Sequence, residues 1–320
     1  MLQNNRWKGV VLFLIAAVSW GAVFPIAKNA LGAMDGFYLT VFRYGLGALV
    51  FAAILLLSEG RAAFGTEGRV WRLLVLGTFG FAGFSIFVFV GLAHSTPEHA
   101  AIFIALMPLI TAVLSWVLRG AKLSGVTLGC IGLALFGVLL VVTKGHLSSL
   151  RGGTLIFDLM ILLGVASWAV YTIGAQEFPR WSALRYTTVT CLLGAVSILV
   201  ITGAATIVGI AQVPAAEIVF SVKWEIAYLV LIGGVAAVLS WNRGVALLGP
   251  VNGVLFVNLV PITAFTIGLA QGKSFTRIEL YGAALTIVAL IINNLNGRGF
   301  FRRRETIDLD GELERNSRSG

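Results

Sequence analysis

Charge is scarce in this chain. Only 12% of its 320 residues are charged, whereas about 25% is usual for a soluble globular domain. Hydrophobic residues make up 58% of the sequence and the mean hydropathy is +0.95. Water cannot solvate a compact globule of this composition, but a lipid bilayer can. The composition therefore excludes an ordinary soluble domain and predicts helices that span a membrane.

Cysteine is nearly absent as well. Cys130 and Cys191 are the only two, and both lie inside apolar runs. They offer neither a disulfide framework nor the spacing of metal ligands. We therefore predict no metal and no cofactor, and interpret both cysteines as small packing residues. The 38 glycines fit this interpretation, because helices in lipid pack through small residues.

The residue patterns of intramembrane enzymes are missing too. The segment GFSI at 83–86 lacks the second glycine of the Gly-x-Ser-Gly motif of rhomboid-type proteases, and all three histidines lie near the ends of apolar runs. The aspartate pair of DLD at 308–310, which a prenyltransferase would need beside magnesium diphosphate, falls outside the apolar part of the chain. Without a nucleophile and its base we expect no enzyme.

Ten apolar runs of about 20 residues are present, each long enough to cross a bilayer. The first run is too long for a signal peptide and ends without a clear cleavage site. The predicted fold is therefore an all-α membrane protein with ten transmembrane helices. The runs lie near 8–28, 37–57, 70–93, 98–118, 123–142, 155–175, 184–208, 222–242, 250–270 and 277–296.

The basic residues are distributed unevenly between the two sides of these spans. Ten spans put both termini on one side, and 16 of the 23 lysines and arginines lie on that side against 6 on the other. The positive-inside rule then predicts a multi-pass protein of the bacterial inner membrane with both termini in the cytoplasm. This placement also accounts for the net charge of +9, so we expect a lipid bilayer and no nucleic acid as partner.

The chain contains an internal duplication. Residues 91–112 align without a gap with residues 244–265, and further pairs occur at similar offsets elsewhere. We predict five-helix repeats at 1–145 and 153–297, followed by a polar cytoplasmic tail at 298–320. The matched positions include Ser19-Trp20 with Ser167-Trp168, Arg43-Tyr44 with Arg185-Tyr186, Pro97 with Pro250, and Pro108 with Pro261.

Five is an odd number of spans, so the second repeat must enter the membrane upside down. Inverted repeats of this kind favour alternating access to a site near the middle of the bilayer. The sequence therefore predicts a carrier. A channel, which usually has repeated polar rings around a symmetric pore, fits the duplication less well.

These features together resemble the ten-helix, EamA-type branch of the drug/metabolite transporter superfamily. The resemblance rests on the two Ser-Trp pairs, on Arg43 and on the repeated prolines, and it covers about residues 8–296. It implies export or exchange of small metabolites, often amino acids. Phosphate-sugar and nucleotide-sugar carriers share the architecture, and their polyanionic substrates call for lysine or arginine in the cavity. Only Arg43 is placed for that here, which argues against such substrates. The four-helix multidrug relatives use a glutamate in the first span for proton–cation exchange. The first span of this chain, at 9–28, has no glutamate, which argues against export by that route.

Five candidate site residues lie in the first and second spans of the two repeats. Trp20 and Trp168 are deep in their spans and predict aromatic walls of a central cavity, able to contact an amino group by cation–π attraction. Tyr171 shares the helix face of Trp168. Arg43 is a candidate contact for a substrate carboxylate, although its repetition as Arg185 also fits a structural role; Tyr44 follows it with the same alternatives.

Three further candidates lie in the fourth spans. His99 and Asn252 each follow a proline at the start of such a span, where free amide groups of a helix N-terminus can receive an anion. Capping is the alternative explanation for both. Asn258 is an isolated polar group in an apolar segment, where it either bonds a neighbouring helix or lines the cavity.

The function predicted from the sequence is transport of small metabolites by alternating access, most simply export of amino acids or related compounds. An uptake permease or an exchanger for another metabolite is the alternative, and an intramembrane enzyme or a channel is the alternative of a different class. We expect a monomer or a homodimer.

Overall fold

The computed structural model describes residues 2–120, 122–146, 155–249, 253 and 256–297. Every regular element in these residues is a helix. In chain order the α-helices are α1 (Leu2–Leu31), α2 (Gly36–Glu59), α3 (Val70–Gly77), α4 (Phe84–His94), α5 (Pro97–Ala105), α6 (Met107–Arg119), α7 (Gly125–Thr143), α8 (Leu155–Gly174), α9 (Ala183–Ile207), α10 (Ala216–Ser221), α11 (Lys223–Ala227), α12 (Ala237–Leu248), α13 (Leu259–Ala270) and α14 (Arg277–Gly297).

Long apolar helices account for most of the predicted spans. Within the described residues, eight helical segments are long and apolar enough to cross a membrane, and their bounds lie close to the predicted runs. The segments are Arg6–Leu31, Gly36–Glu59, Val70–His94, Gly125–Thr143, Leu155–Glu177, Ala183–Ile207, Lys223–Leu248 and Arg277–Asn296.

The fourth predicted span is not one continuous helix. α5 and α6 meet at Leu106 with a bend of 45°. Pro108 explains the break, because proline has no N–H for the carbonyl of Ile104 and its ring disfavours helical geometry at Met107. With this bent pair counted as one span, the described part of the chain holds nine.

The ninth predicted span contains only a short helix among the described residues, so the structure does not confirm ten spans. Its longest continuous helix among the described residues is α13, with 12 residues; residues 253, 256 and 257 are also helical, and positions 250–252 and 254–255 lie outside the described residues. Pro261 occupies the position in α13 that matches Pro108 in α6, and a turn at Asn258 immediately precedes this helix.

The third and eighth spans share an irregularity that the alignment did not predict. Each contains a π-helical segment, Thr78–Gly83 in one and Tyr228–Ala236 in the other. Both segments end at matched positions 153 residues apart, so that α4 and α12 begin in register. The duplication therefore extends to the backbone, and it repeats a type of helix defect that is frequent at functional sites.

The helices pack in a reciprocal pattern. α1, the first span of one repeat, packs on α12 in the third span of the other, and α8 packs in the same way on α4. α2 packs against α9 and α7 against α14, so the second and fifth spans each meet their own counterparts. This reciprocal packing is what a two-fold relation between the repeats produces.

Glycines allow the closest of these approaches. A Cβ atom on Gly137 would lie 2.6 Å from the carbonyl oxygen of Gly282, and one on Gly282 would lie 2.5 Å from the carbonyl oxygen of Gly137. The absence of side chains on these two glycines therefore lets the backbones of α7 and α14 come into direct contact, as is common between helices in lipid.

Candidate substrate site

Trp20 lies in a small group of aromatic rings. Its ring centroid is 5.3 Å from that of Trp241 on α12. Phe13 stands beside Trp241 at 5.1 Å and stacks on Phe256 at 5.3 Å. The group joins the first span of one repeat to the third and fourth spans of the other. Trp20 itself is half-buried.

Trp168 lies in a second, larger aromatic group. Its ring centroid is 5.1 Å from Phe84 and 5.0 Å from Tyr171, so the shared helix face predicted for Trp168 and Tyr171 is present. Phe81 extends the group at 5.4 Å from Tyr171 and 5.0 Å from Tyr44. Trp168 is half-buried, whereas Tyr171 and Tyr44 are buried.

The two tryptophans are related by the packing of the repeats, although no ring contact joins them among the described residues. Each sits on the first span of its repeat and faces the third span of the other. Trp241, the partner of Trp20, was missed because its repeat counterpart is Val88, so the duplication gives it no signal. Only the contact between α1 and α12 identifies it.

Arg43 is buried between two aromatic rings. Its side chain is on α2 with 7% exposure, and its guanidinium carbon lies 5.0 Å from the ring centroid of Tyr44 and 5.3 Å from that of Phe89. Its Nε atom has no hydrogen-bond partner, and no carboxylate in the described part of the chain forms an ion pair with it. The ring faces are the contacts that offset its burial.

Those two rings belong to different apolar clusters. Phe89 belongs to the cluster that contains Phe24, Leu39 and Phe103, and Trp20 packs on this cluster. Tyr44 belongs to the cluster that contains Phe81, Tyr171 and Tyr186, and Trp168 packs on that one. Arg43 therefore lies where the two clusters meet.

Arg185, the repeat counterpart of Arg43, has a different environment. Its Nη2 atom donates to the carbonyl of Gly65 at 2.7 Å and to Glu67 at 2.9 Å. Its guanidinium also covers the ring of Trp181 at 3.8 Å. These contacts tie the start of α9 to the loop after α2. The role common to both arginines that the repetition suggested is therefore not seen in their contacts.

The tyrosines that follow the two arginines also differ. The Tyr186 hydroxyl donates to the carbonyl of Tyr171 at 2.8 Å, and the two rings stack at 5.0 Å. Tyr44 instead meets Phe81 edge-on and carries the guanidinium of Arg43 on its face. Tyr186 thus links α9 to α8, while Tyr44 is part of the surroundings of Arg43.

The fourth-span candidates have separate positions. Thr96 caps α5 by accepting from the backbone N–H of His99 at 3.2 Å, so this amide is not free for an anion. The His99 ring instead lies 3.6 Å from Asp158. Asn258 is buried and its Nδ2 atom has no partner among the described residues, whereas Asn252 lies outside them. No group of three or more possible metal ligands occurs in the described part.

Comparison with known proteins extends the similarity over nearly the whole chain. The profile of the EamA-like transporter family matches residues 7–143 and 155–295. A solved crystal structure that is 20% identical superposes with a TM-score of 0.65 and covers 92% of this chain and 99% of that one. The fold is therefore shared with a known structure.

The curated relatives carry transporter names. The uncharacterized transporter YrdR of Bacillus subtilis is 35% identical over 303 residues, which cover 93% of this chain and 94% of that protein. The uncharacterized transporter YyaM of the same organism is 30% identical over 287 residues, covering 88% and 92%. A probable terminal-alkyne amino-acid exporter of Streptantibioticus cattleyicolor is 23% identical over 308 residues, covering 93% and 96%.

Neither the family nor these relatives point to an enzyme. Two profile matches in one chain correspond to the two-repeat helical membrane fold that the packing of the helices displays. The chain belongs to the EamA-like transporter family and is a multi-pass membrane transporter of small molecules.

Proposed function

We propose that this transporter exports amino acids or related carboxylate-bearing metabolites across the bacterial inner membrane by alternating access. The observation that carries the proposal is the buried guanidinium of Arg43, which has no carboxylate partner among the described residues. A charge inside a membrane protein is costly, and such residues usually pair with one another or mark the path of a substrate.

The chemistry of arginine favours a carboxylate as the missing partner. Its planar guanidinium donates two parallel hydrogen bonds to a carboxylate. The ring faces of Tyr44 and Phe89 attract the cation but cannot accept those in-plane hydrogen bonds. A substrate carboxylate that enters this position satisfies the guanidinium without adding another charge to the protein.

The aromatic groups suit the rest of such a substrate. Trp20 and Trp168 pack on the clusters to which the two rings around Arg43 belong. Their half-buried rings offer apolar contact to a side chain and cation–π attraction to an amino group. We assign Trp20, Trp168, Arg43 and Tyr44 to the substrate site, with Tyr171 behind Trp168.

The irregular helices support alternating access. Discontinuous helices at the interface of repeats are typical of transporter sites, and here the fourth spans have a bend at Leu106 and a turn at Asn258. Repeats at 1–145 and 153–297 with opposite orientations let each half adopt the packing of the other. Export, rather than uptake or exchange, is supported by the amino-acid exporter among the distant relatives.

The test is an export profile with a matched pair of arginine variants. The protein and its Arg43→Gln variant are overproduced in a bacterium, and metabolites in the medium are compared by mass spectrometry at equal amounts of protein in the membrane. We expect one or a few carboxylate-bearing metabolites to accumulate outside with the natural protein. Arg43→Gln should lower that accumulation about 100-fold, the loss expected when a charged hydrogen-bonding pair worth about 3 kcal/mol is removed.

The control is Arg185→Gln, which removes an arginine that already has Glu67 as a partner. It should keep export within about fivefold, because Glu67 is 50% exposed to solvent and an ion pair with such a partner contributes about 1 kcal/mol or less. Equal losses in both variants would show that the Arg43 effect comes from folding. Unchanged export in Arg43→Gln would remove the carboxylate contact from the proposal.

A further inference from the structure

A buried network of polar side chains joins the two repeats at one end of the bundle. Ser95, which follows α4, donates its hydroxyl to Asp158 of α8 at 2.5 Å. The Nδ1 atom of His99 on α5 lies 3.6 Å from the same carboxylate oxygen. Ser95 and His99 belong to the first predicted repeat and Asp158 to the second. The contact therefore crosses the interface that must open if this end gives access to the site.

Two further contacts lie at the same end. Glu98, next to His99, pairs with Lys273 beyond α13 at 3.0 Å, again across the repeats. Lys28, near the end of α1, donates to the carbonyls of Leu92, Ala93 and Ser95 at 2.8 to 2.9 Å. The ammonium thus holds the end of α4 in place beside Ser95. Together these contacts order the segment that carries the network.

The ion pairs in this network differ in their exposure to solvent. The side chain of Asp158 is 2% exposed and that of His99 12%, whereas Lys273 in the neighbouring pair is 39% exposed. A buried carboxylate that keeps one hydroxyl donor still requires a positive partner. His99 supplies that charge only when its ring carries a proton, and histidine is the side chain that exchanges a proton near neutral pH.

We propose that His99 and Asp158 form a proton-sensitive gate between the repeats at this end, which the positive-inside rule puts outside the cell. Protonated His99 holds Asp158 and keeps the end closed. Loss of the proton leaves the carboxylate without its partner and favours opening. The inference rests on the proposed alternating access, but it names neither a substrate nor a direction of transport.

The sign follows from linkage between proton binding and closure. The closed state brings the His99 ring to the Asp158 carboxylate, and only the protonated ring is a cation that attracts the carboxylate. Acid therefore favours closure, and rising pH favours opening. The other acidic, basic and histidine side chains at this end of the described helices and their connections are Lys28, Asp35, His94, Glu98, Lys144, His146, Glu217, Lys223, Glu225, Lys273, Arg277 and Glu279.

The experiment measures opening directly and needs no substrate. Spin labels are attached to cysteines placed at Ala33 and Gln271, exposed positions of the two repeats at this end, with the buried Cys130 and Cys191 replaced by alanine. Distances between the labels are recorded in lipid nanodiscs at pH values from about 5.5 to 8, the range in which histidine titrates. We expect the ratio of long to short distances to rise about tenfold across this range, a typical size for such coupling.

The matched controls separate His99 from its neighbours. His99→Gln and Asp158→Asn should each remove the pH dependence. His94→Gln should retain it, because His94 is exposed and stacks on Phe157 with no acidic partner in the described part of the chain.

A pH-independent ratio in the natural protein would overturn the gate, as would a pH dependence that survives His99→Gln or disappears with His94→Gln. None of these results depends on the export test with Arg43, so each proposal can fail without the other. A single short distance at every pH would show that this end does not open and would also overturn the gate.

Discussion

Single residues show where the sequence repeat stops predicting environment. Arg43 and Arg185 occupy matched positions, yet one is buried between two rings and the other is held by Glu67 and Gly65. The duplication therefore predicted where the arginines lie, but not what they contact. Contacts depend on the facing helix of the other repeat, and those helices have diverged, as Val88 and Trp241 have.

The paired tryptophans give the second prediction at this scale. Replacing Trp20 and Trp168 together by phenylalanine should raise the half-saturating substrate concentration about tenfold. The smaller ring weakens cation–π and apolar contact with the substrate by about 1 to 2 kcal/mol. Uptake of labelled substrate into preloaded proteoliposomes measures this constant.

Trp116→Phe is the control for that experiment. Trp116 lies on α6 with 53% exposure, away from both aromatic groups, and its variant should match the natural protein. Unchanged kinetics in the double variant, at normal protein levels, would exclude both tryptophans from the site.

Helix irregularities are the features of intermediate scale that matter for function. Runs of apolar residues predict spans well because each run must match the thickness of the bilayer. They do not predict the π-helical segments, since an extra residue in a turn leaves hydropathy unchanged. Pro108 explains the break at Leu106, but the angle of the bend depends on packing that the sequence does not display.

Pro108→Ala should straighten the fourth span and slow transport. Alanine restores an N–H donor toward the carbonyl of Ile104, so α5 and α6 gain a hydrogen bond across their junction. We expect the exchange rate to fall about tenfold, equivalent to about 1.4 kcal/mol in the barrier. Exchange in proteoliposomes gives the rate, and thermal unfolding in detergent reports on folding.

Pro25→Ala provides the comparison, because Pro25 lies inside the unbroken helix α1. If Pro25→Ala slows exchange as strongly as Pro108→Ala does, the break at Leu106 has no special role in the cycle.

The α7–α14 crossing allows a stability prediction with a control in the same helix. Gly137→Ala should lower the free energy of unfolding by about 1 to 3 kcal/mol through overpacking, since the added carbon would lie 2.5 Å from Thr286 Oγ1. Gly129→Ala meets nothing within 4 Å and should leave stability nearly unchanged. Thermal unfolding in detergent, followed by tryptophan fluorescence, measures both; equal melting temperatures would contradict the close contact.

At the scale of the whole molecule, the sequence predicted the two-repeat helical fold and the family, because hydropathy and duplication are global signals. It placed the spans within a few residues but did not establish that there are ten. The sequence also did not predict that the first span of each repeat packs on the third span of the other repeat. Phe13 and Gly244 meet in that packing, and a pair so distant in one sequence carries no local signal of contact.

Membrane orientation remains a prediction with a direct test. A fluorescent protein that matures only in the cytoplasm should fluoresce when fused to the C-terminus. Alkaline phosphatase, which is active only outside, should be active when inserted after Val213 in the exposed connection between α9 and α10. The excess of lysine and arginine on the predicted inner side is the physical reason, and the reverse pattern of reporters would invert the assignment.

The fifth-span pair has a practical consequence. α7 and α14 pack chiefly on each other and meet the rest of the described bundle mainly through α5 and α6. Neither helix carries a member of the aromatic groups or of the His99–Asp158 contact. A binding protein raised against this pair would add mass for imaging, or fix the transporter to a surface, while the other helices keep their freedom to turn over substrate.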